Sequence, residues 1–213
     1  MGRTGGSVSA SVAVDIRQVF GYTPQSMAEV LQDGVNLAVW QRQLPPQLQD
    51  FSEVVAGLGE SITDQRVIEV DEHQVPVIEG LLYEAVDIHG YDAFVADVTW
   101  LVSAYSCLLG AHRVGLRIRA LTSPMCPRFH VDNVPLRLIT TYAGPGSEYL
   151  QEQQVARSAL STGNAAVDKV MRLNTGDVAL FKGERWEGNE GAGVVHRSPS
   201  GPPRLLLTLD WLA

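Results

Sequence analysis

Two histidines and one aspartate are the residues of this 213-residue chain whose types and spacing best suit metal chemistry. His130 and Asp132 stand two positions apart, and His196 follows 64 positions after Asp132. On a β-strand, side chains at i and i+2 point to the same face, so His130 and Asp132 can reach one ion. A His-x-Asp pair alone is a weak signal, so the prediction also depends on His196, which ends another predicted strand. The pattern therefore predicts a metal site formed by these three residues.

A cysteine near this motif offers an alternative ligand set. Cys126 lies four positions before His130, and a thiolate as fourth ligand would favour Zn²⁺. A free cysteine is, however, most often a small buried apolar residue. Both assignments of Cys126 stay open from the sequence.

The overall composition indicates a soluble protein with a sizeable core. Hydrophobic residues make up 45% of the chain, and the net charge of −8 disfavours general binding to nucleic acids or anionic membranes. Only two cysteines are present, so no disulfide framework is available and the cytoplasm is the expected compartment. The first ten residues lack the apolar run of a signal peptide. The most apolar window, Val98 to Leu109, is too short to cross a bilayer.

The first half of the chain carries helical patterns. A short helix is predicted from Pro24 to the stop at Asp33-Gly34, and the alternation in Val35 to Trp40 predicts a strand. Apolar residues at helical spacing then predict one amphipathic helix after Pro46 and a stronger one from Tyr91 to Leu109. We therefore expect a loose tail over 1–20 and a mainly helical region with one strand over 21–112.

After Gly110 the periodicity changes to two, which predicts strands. About eight strands packed with helices predict an α+β fold: a double-stranded β-helix, or jelly-roll, barrel over 113–213 with the N-terminal helices packed on it, all in one structural domain. The predicted strands of this half are Val114–Leu121, Pro127–Asp132, Pro135–Ala143, Val167–Leu173, Asp177–Lys182, Gly193–Arg197 and Pro203–Asp210.

The order of these motifs over residues 114–210 resembles the Fe(II)/2-oxoglutarate-dependent oxygenases. In that family a His-x-Asp pair, a distal histidine and a late arginine follow one another on the barrel strands. The resemblance implies that His130, Asp132 and His196 bind iron and act in catalysis, while Arg204 pairs with the distal carboxylate of 2-oxoglutarate. Tyr142 is a further predicted partner of the cosubstrate.

One position departs from the family pattern. Several members carry Ser or Thr two residues after the arginine, where this chain has Leu206. Thr208, on the same strand face as Arg204, is the predicted substitute. The cosubstrate is therefore less strongly indicated than the metal.

The whole chain also resembles an uncharacterised family of proteobacterial proteins that is associated with genes for metal, particularly zinc, homeostasis. The segments that carry this resemblance lie over 126–137, 141–146 and 181–185. That family has no firmly assigned activity and so implies no reaction. The alternative function is a non-catalytic zinc- or metal-binding protein or sensor linked to metal homeostasis, or a zinc hydrolase, using the same His/Asp/His site. The sequence leaves open which metal is bound and what the oligomeric state is.

Two further features bear on the substrate. Five arginines fall within 25 residues in which Asp132 is the only acid, and this local excess fits either a solvated outer face or an anion site for 2-oxoglutarate or a small-molecule or anionic substrate. They are Arg113, Arg117, Arg119, Arg128 and Arg137. The polar insertion Gly144 to Asn164 has the length and composition of a lid loop, with an inert surface loop as the alternative.

Overall fold

The computed structural model describes residues 15–59, 62–71, 73–152, 157–160 and 169–212. Within these ranges the chain forms ten strands, two long helices and a one-turn helix, with two 3-10 helices at Pro24–Leu31 and Tyr83–Ala85. The helices are α1 (Pro46–Gly57), α2 (Tyr91–Leu109) and α3 (Arg157–Leu160). The mixed α+β class is thereby confirmed.

Seven strands form one large sheet in the order β1-β2-β8-β5-β10-β4-β3, and three short strands form a second sheet in the order β7-β6-β9. All neighbours are antiparallel except β1 and β2. The strands are β1 (Arg17–Gly21), β2 (Val35–Trp40), β3 (Thr63–Glu69), β4 (Arg113–Leu121), β5 (Leu136–Ala143), β6 (Glu148–Tyr149), β7 (Met171–Arg172), β8 (Val178–Lys182), β9 (His196–Arg197) and β10 (Arg204–Trp211).

Both faces of the large sheet are covered, because successive strand residues point to opposite sides. On β10, Leu205, Leu207 and Leu209 join the core beneath the helices. Leu206 instead joins a smaller apolar cluster that includes Tyr149 and residues next to the second sheet. The small sheet therefore packs on the face opposite the helices. Closure of these strands into a double-stranded β-helix stays a prediction.

The two long helices form for the reasons that their sequences indicate. Leu48, Phe51 and Val55 of α1 are buried, and α2 buries a longer stripe that includes Phe94 and Tyr105. Gly110 ends α2 in the left-handed conformation, at φ 60°. By length and composition α2 could also span a membrane, but a core helix passes the same test, and α2 packs on the sheet here.

Several predicted elements need correction. The predicted helix after Pro24 is a 3-10 helix, and strand β1 begins within the predicted tail. A second strand, β3, lies in the region expected to hold only one. The predicted strand Pro127–Asp132 does not form as a strand: His130 makes an isolated bridge with His196, and the Asp132 carbonyl accepts a hydrogen bond from the Glu184 amide at 3.0 Å. The division of the chain into three regions stays a prediction.

Candidate metal centre

His130 and His196 are brought together by direct backbone pairing. The His130 amide donates to the His196 carbonyl oxygen at 3.0 Å, and the His196 amide donates back at 2.9 Å. His196 belongs to β9, which pairs with β6 in the small sheet. The two imidazole rings lie 4.6 Å apart between centroids. A two-residue antiparallel contact thus positions ligands that are far apart in sequence.

Both imidazoles direct the same nitrogen towards Asp132. Nδ1 of His130 lies 2.9 Å from the Arg128 carbonyl oxygen, and Nδ1 of His196 lies 3.0 Å from that of Val194. Because a carbonyl oxygen only accepts, Nδ1 of a neutral ring carries the hydrogen and Nε2 keeps its lone pair. Nε2 lies 3.6 Å from Asp132 Oδ1 in His130, and 3.4 Å from Asp132 Oδ2 in His196.

The three side chains fit a transition-metal ion. One ligand atom from each lies within 4.8 Å of the others. With metal–ligand bonds of about 2.1 Å, two ligands of one ion are separated by about 3.0 Å at a right angle and about 4.2 Å when opposite. The shortest separation from each histidine, 3.6 Å to Oδ1 and 3.4 Å to Oδ2, falls between these limits, whereas a separation of up to 4.8 Å within the cluster requires a small inward shift on metal binding. The cluster has the donor set of a two-histidine, one-carboxylate site.

Charge in the cluster favours the ionised carboxylate. Burial opposes ionisation of Asp132, but its contacts with His130 and His196 and the nearby Arg137 outweigh burial, so the pKa of Asp132 is far below its ordinary value. The contact with Asp132, partly offset by burial, raises the pKa of His130 in the metal-free protein. A bound cation would take the place of that proton.

Arg137 connects this cluster to the large sheet. Its Nη1 donates to Asp132 Oδ2 at 2.8 Å, while Nε and Nη2 donate to the two oxygens of Asp210 at 2.6 and 2.9 Å. Arg137 and Asp210 lie directly opposite each other on β5 and β10. Arg117 of β4 approaches the same Asp210 carboxylate at 3.6 Å. Sequence reasoning missed Asp210 and assigned Arg137 only to a general basic patch.

Arg204 occupies a second polar position on the same face of the large sheet. It is 3% exposed, and its Nη2 donates to the hydroxyls of Thr141 and Ser147 at 3.2 and 3.3 Å. Within the described part of the chain, Nε and Nη1 of Arg204 have no hydrogen-bond partner. Burial lowers the pKa of Arg204 to about 10; the charge of Arg172 adds to this effect and Glu148 opposes it. A buried guanidinium with two free donors suits an anionic ligand.

The two residues predicted beside the cosubstrate, Tyr142 and Thr208, differ in how they lie relative to Arg204. Tyr142 is fully buried on the helix side of β5, where its hydroxyl donates to Asp97 at 2.6 Å. Its strand position gives it the opposite orientation to Thr141, which corrects the expectation. Thr208 does share the face of Arg204, but four strand residues separate their backbones by about 13 Å. A contact of Thr208 with the same ligand as Arg204 therefore stays a prediction.

Cys126 does not join the cluster. Among the described residues, the group of possible metal-binding side chains contains only His130, Asp132 and His196. Cys126 is half-buried, and its backbone carbonyl accepts a hydrogen bond from the Ser198 amide at 2.8 Å. This position agrees with a structural cysteine rather than a fourth ligand.

The insertion predicted as a lid begins as part of the fold. Ser147, Glu148 and Tyr149 are buried, and β6 pairs with β9 beside His196. Glu148 lies between Arg172 and Arg197, at 2.5 and 2.7 Å. These residues are therefore not a mobile cover. The prediction for 153–156 and 161–164 lies outside the described residues.

Comparison with known proteins gives one family and a set of distant structural matches. The sequence matches a family model described as "Protein of unknown function (DUF1826)" over residues 21–210. No curated protein matches the sequence. Every structural match given below has low sequence identity and a TM-score below 0.5.

A rice dioxygenase for auxin oxidation has 13% identity and a TM-score of 0.41, with 84% of this chain and 74% of that chain covered. A Pseudomonas putida prolyl-4-hydroxylase has 15% identity and a TM-score of 0.41, with 88% and 96% covered. A 2OG-Fe(II) oxygenase family oxidoreductase from Burkholderia pseudomallei has 10% identity and a TM-score of 0.40, with 91% and 93% covered. At this distance, functional assignment rests on the site itself.

Proposed function

This chain belongs to the DUF1826 family of proteins of unknown function, and we propose that it is an Fe(II)- and 2-oxoglutarate-dependent oxygenase of the hydroxylase type. His130, Asp132 and His196 would hold the iron, and Arg204 would hold the far carboxylate of 2-oxoglutarate. When bound, the iron and cosubstrate supply oxygen activation coupled to oxidative decarboxylation. The substrate is unidentified.

The observation that carries this proposal is the state of Arg204. An arginine that is buried without a carboxylate partner destabilises a fold, because its charge is desolvated without compensation. Nε and Nη1 are buried and lack partners among the described residues, so the fold holds two donors ready for a ligand. The carboxylate of an anionic cosubstrate would pair with these donors and compensate the buried charge.

The spacing along β5 supports the same pairing of sites. Arg204 contacts Thr141, whereas Arg137, four residues earlier on the same face, contacts Asp132. Four strand residues span about 13 Å, a distance that long arginine side chains and an extended dicarboxylate can bridge together. Apolar residues between these points, including Ile139, Leu206 and Phe181, exclude water from the region. The chain thus offers a carboxylate clamp at one end and metal ligands at the other.

Charge on the neighbouring strand supports an anionic substrate. Arg117 and Arg119 of β4 point to the same sheet side as Asp210, and both are only partly buried. Arg117 meets Asp210, whose two oxygens already accept from Arg137, and Arg119 contacts the sulfur of Met125 at 3.3 Å. Arg117 therefore adds positive charge beside the Arg137–Asp210 pair that contacts Asp132. We propose that the substrate is a small anionic molecule.

The test is to measure 2-oxoglutarate binding in Arg204→Met under anaerobic conditions, with Mn²⁺ as the metal. The wild type should bind one metal ion and one 2-oxoglutarate. The variant should keep the metal but lose about 1.5–3 kcal/mol of cosubstrate binding, or roughly ten- to 150-fold in Kd. The melting temperature of the variant should be no lower than that of the wild type, because the substitution removes an unpaired buried charge. Isothermal titration and thermal melting give both results.

Arg17→Met is the matched control, because Arg17 is exposed and bonds only to Gln32 among the described residues. It should leave both ligands unaffected. A wild-type protein that binds the metal but no 2-oxoglutarate would contradict the oxygenase and leave a metal-binding protein or sensor. Equal 2-oxoglutarate affinity in the Arg204 variant would contradict the assigned clamp.

A further inference from the structure

We infer that Arg137 is a positioning residue that holds one oxygen of Asp132, so that the carboxylate presents only the other oxygen to the metal. Arg137 is 17% exposed in its side chain and contacts two acids at once. The inference rests on the proposed function where it concerns 2-oxoglutarate. Its statement about metal coordination stands on the cluster alone.

The orientation of Arg137 is fixed from the β10 side. Its Nε and Nη2 form a two-point contact with Asp210, which is 9% exposed in its side chain and lies directly opposite on the neighbouring strand. A planar guanidinium held at two nitrogens has no freedom to turn. Its remaining nitrogen, Nη1, therefore points to Asp132 Oδ2. A lysine ammonium could not make this forked contact.

Without Arg137, both oxygens of Asp132 would be open to an ion. Oδ1 lies nearer Nε2 of His130 and Oδ2 nearer Nε2 of His196, so each oxygen faces one imidazole. The hydrogen bond that charged Arg137 donates to Oδ2 occupies a lone pair of that oxygen, so Oδ2 is a weaker metal ligand. The same bond restrains rotation of the carboxylate. Oδ1 is left as the better ligand. One coordination position is thereby kept for an incoming molecule rather than filled by Asp132.

The experiment compares Arg137→Met and Arg137→Lys with the wild type, each loaded with Co²⁺ without oxygen. The absorption of Co²⁺ reports its coordination number and geometry. We expect Arg137→Met to bind one Co²⁺, because all three ligands remain, but to show an altered spectrum before any cosubstrate is added. Its affinity for 2-oxoglutarate should fall at least tenfold. Arg137→Lys should restore less than half of the spectral difference, because one ammonium replaces a fork.

Arg66→Met is the matched control, since Arg66 contacts Asp64 and the 79–80 backbone rather than the cluster. It should reproduce the wild-type spectrum. A folded Arg137→Met protein with the wild-type spectrum and wild-type 2-oxoglutarate affinity would overturn the inference.

If Arg137→Met fails to fold, Asp210→Asn provides the test, because it keeps Arg137 but weakens the two-point contact that orients its guanidinium. A change of the Co²⁺ spectrum in the same direction supports the inference, and an unchanged spectrum overturns it. If the wild type binds Co²⁺ but no 2-oxoglutarate, the oxygenase proposal fails. The spectral comparison of wild type and variant still tests the role of Arg137.

Discussion

His130 contacts Asp132 in the structure, and in the proposed site its Nε2 would bind the metal ion instead. In the metal-free protein its contact with Asp132, partly offset by burial, raises its pKa. Protonated His130 therefore adds stability that is complete below its ordinary pKa of about 6.5 and is lost as the pH rises through the raised value. Asp132 has a lowered pKa, so its contribution is present above about 3.9 and is lost as the pH falls below that.

From these signs we predict opposite pH trends for the two forms. The metal-free protein should become less stable as the pH rises from 6 to 8, whereas stabilisation by Mn²⁺ should grow, because a ligating imidazole must be neutral. Thermal melting across this range, with and without Mn²⁺, measures both trends. His130→Gln should flatten the metal-free trend, and His89→Ala, at an exposed position, should not. An equal slope in wild type and His130→Gln would contradict the assignment.

At the scale of elements, long periodic segments could be predicted with nearly their full extent, whereas short ones could be predicted only in part. Helices α1 and α2 and strands β4, β5 and β10 each repeat an apolar pattern over at least two turns or four alternations. By contrast, β6, β7 and β9 have two residues each, which is too few to carry a period. Their pairing depends on residues distant in sequence. The predicted strands 167–173 and 193–197 contain β7 and β9, but β6 and the pairing of the three strands could not be predicted from periodicity.

The same reasoning explains which site residues could be predicted. The spacing of His130 and Asp132 and the late position of His196 were visible in the chain, and the structure brings all three together. Tyr142 was misplaced because its orientation depends on the face of β5, and Thr141 is the residue that meets Arg204. Asp210 gave no signal, because a carboxylate at a strand end is ordinary until its partner is known.

The turn after β5 gives a prediction about how Arg204 is held. Gly144 has φ 75°, and a Cβ there would lie 2.3 Å from the Pro203 carbonyl oxygen and 2.9 Å from Arg204 Cγ. Gly188 has a similar φ of 79° with nothing within 4 Å of such a Cβ. Gly188→Ala should therefore cost only the backbone strain of about 1–2 kcal/mol. Gly144→Ala should cost more and also weaken 2-oxoglutarate binding.

Chemical denaturation and cosubstrate titration of both glycine variants provide the measurement. Equal losses of unfolding free energy in the two variants would mean that the contact of the added Cβ with Pro203 and Arg204 is relieved at no cost in stability. If Gly144→Ala loses stability but keeps its full affinity for 2-oxoglutarate, the turn at Gly144 does not determine how Arg204 binds the cosubstrate.

At the scale of the whole molecule, a bound metal would join the large and small sheets. Asp132 is tied to β5 and β10 through Arg137, while His196 lies in β9. A ligand that binds only the folded state at one hundred times its Kd adds about 2.7 kcal/mol. For a domain of this size we predict that Mn²⁺ raises the Tm by about 5–11 °C. A chelator should reverse the rise.

Asp132→Ala removes one of the three ligands and should abolish most of this rise. Calorimetry of both proteins with and without Mn²⁺ tests the prediction. An equal rise in the variant would place the stabilising ion elsewhere on the molecule.

Because His130 and His196 pair through their backbones, the segment between them, which contains strands β5 to β8, is an excursion that starts and ends at the same place in the fold. A single cut within this excursion would put His130 and Asp132 on one fragment and His196 and Arg204 on the other. Neither fragment would carry a full ligand set or both ends of a cosubstrate pocket. Reassembly of separately produced halves would therefore restore metal binding and cosubstrate binding together, as fragment complementation.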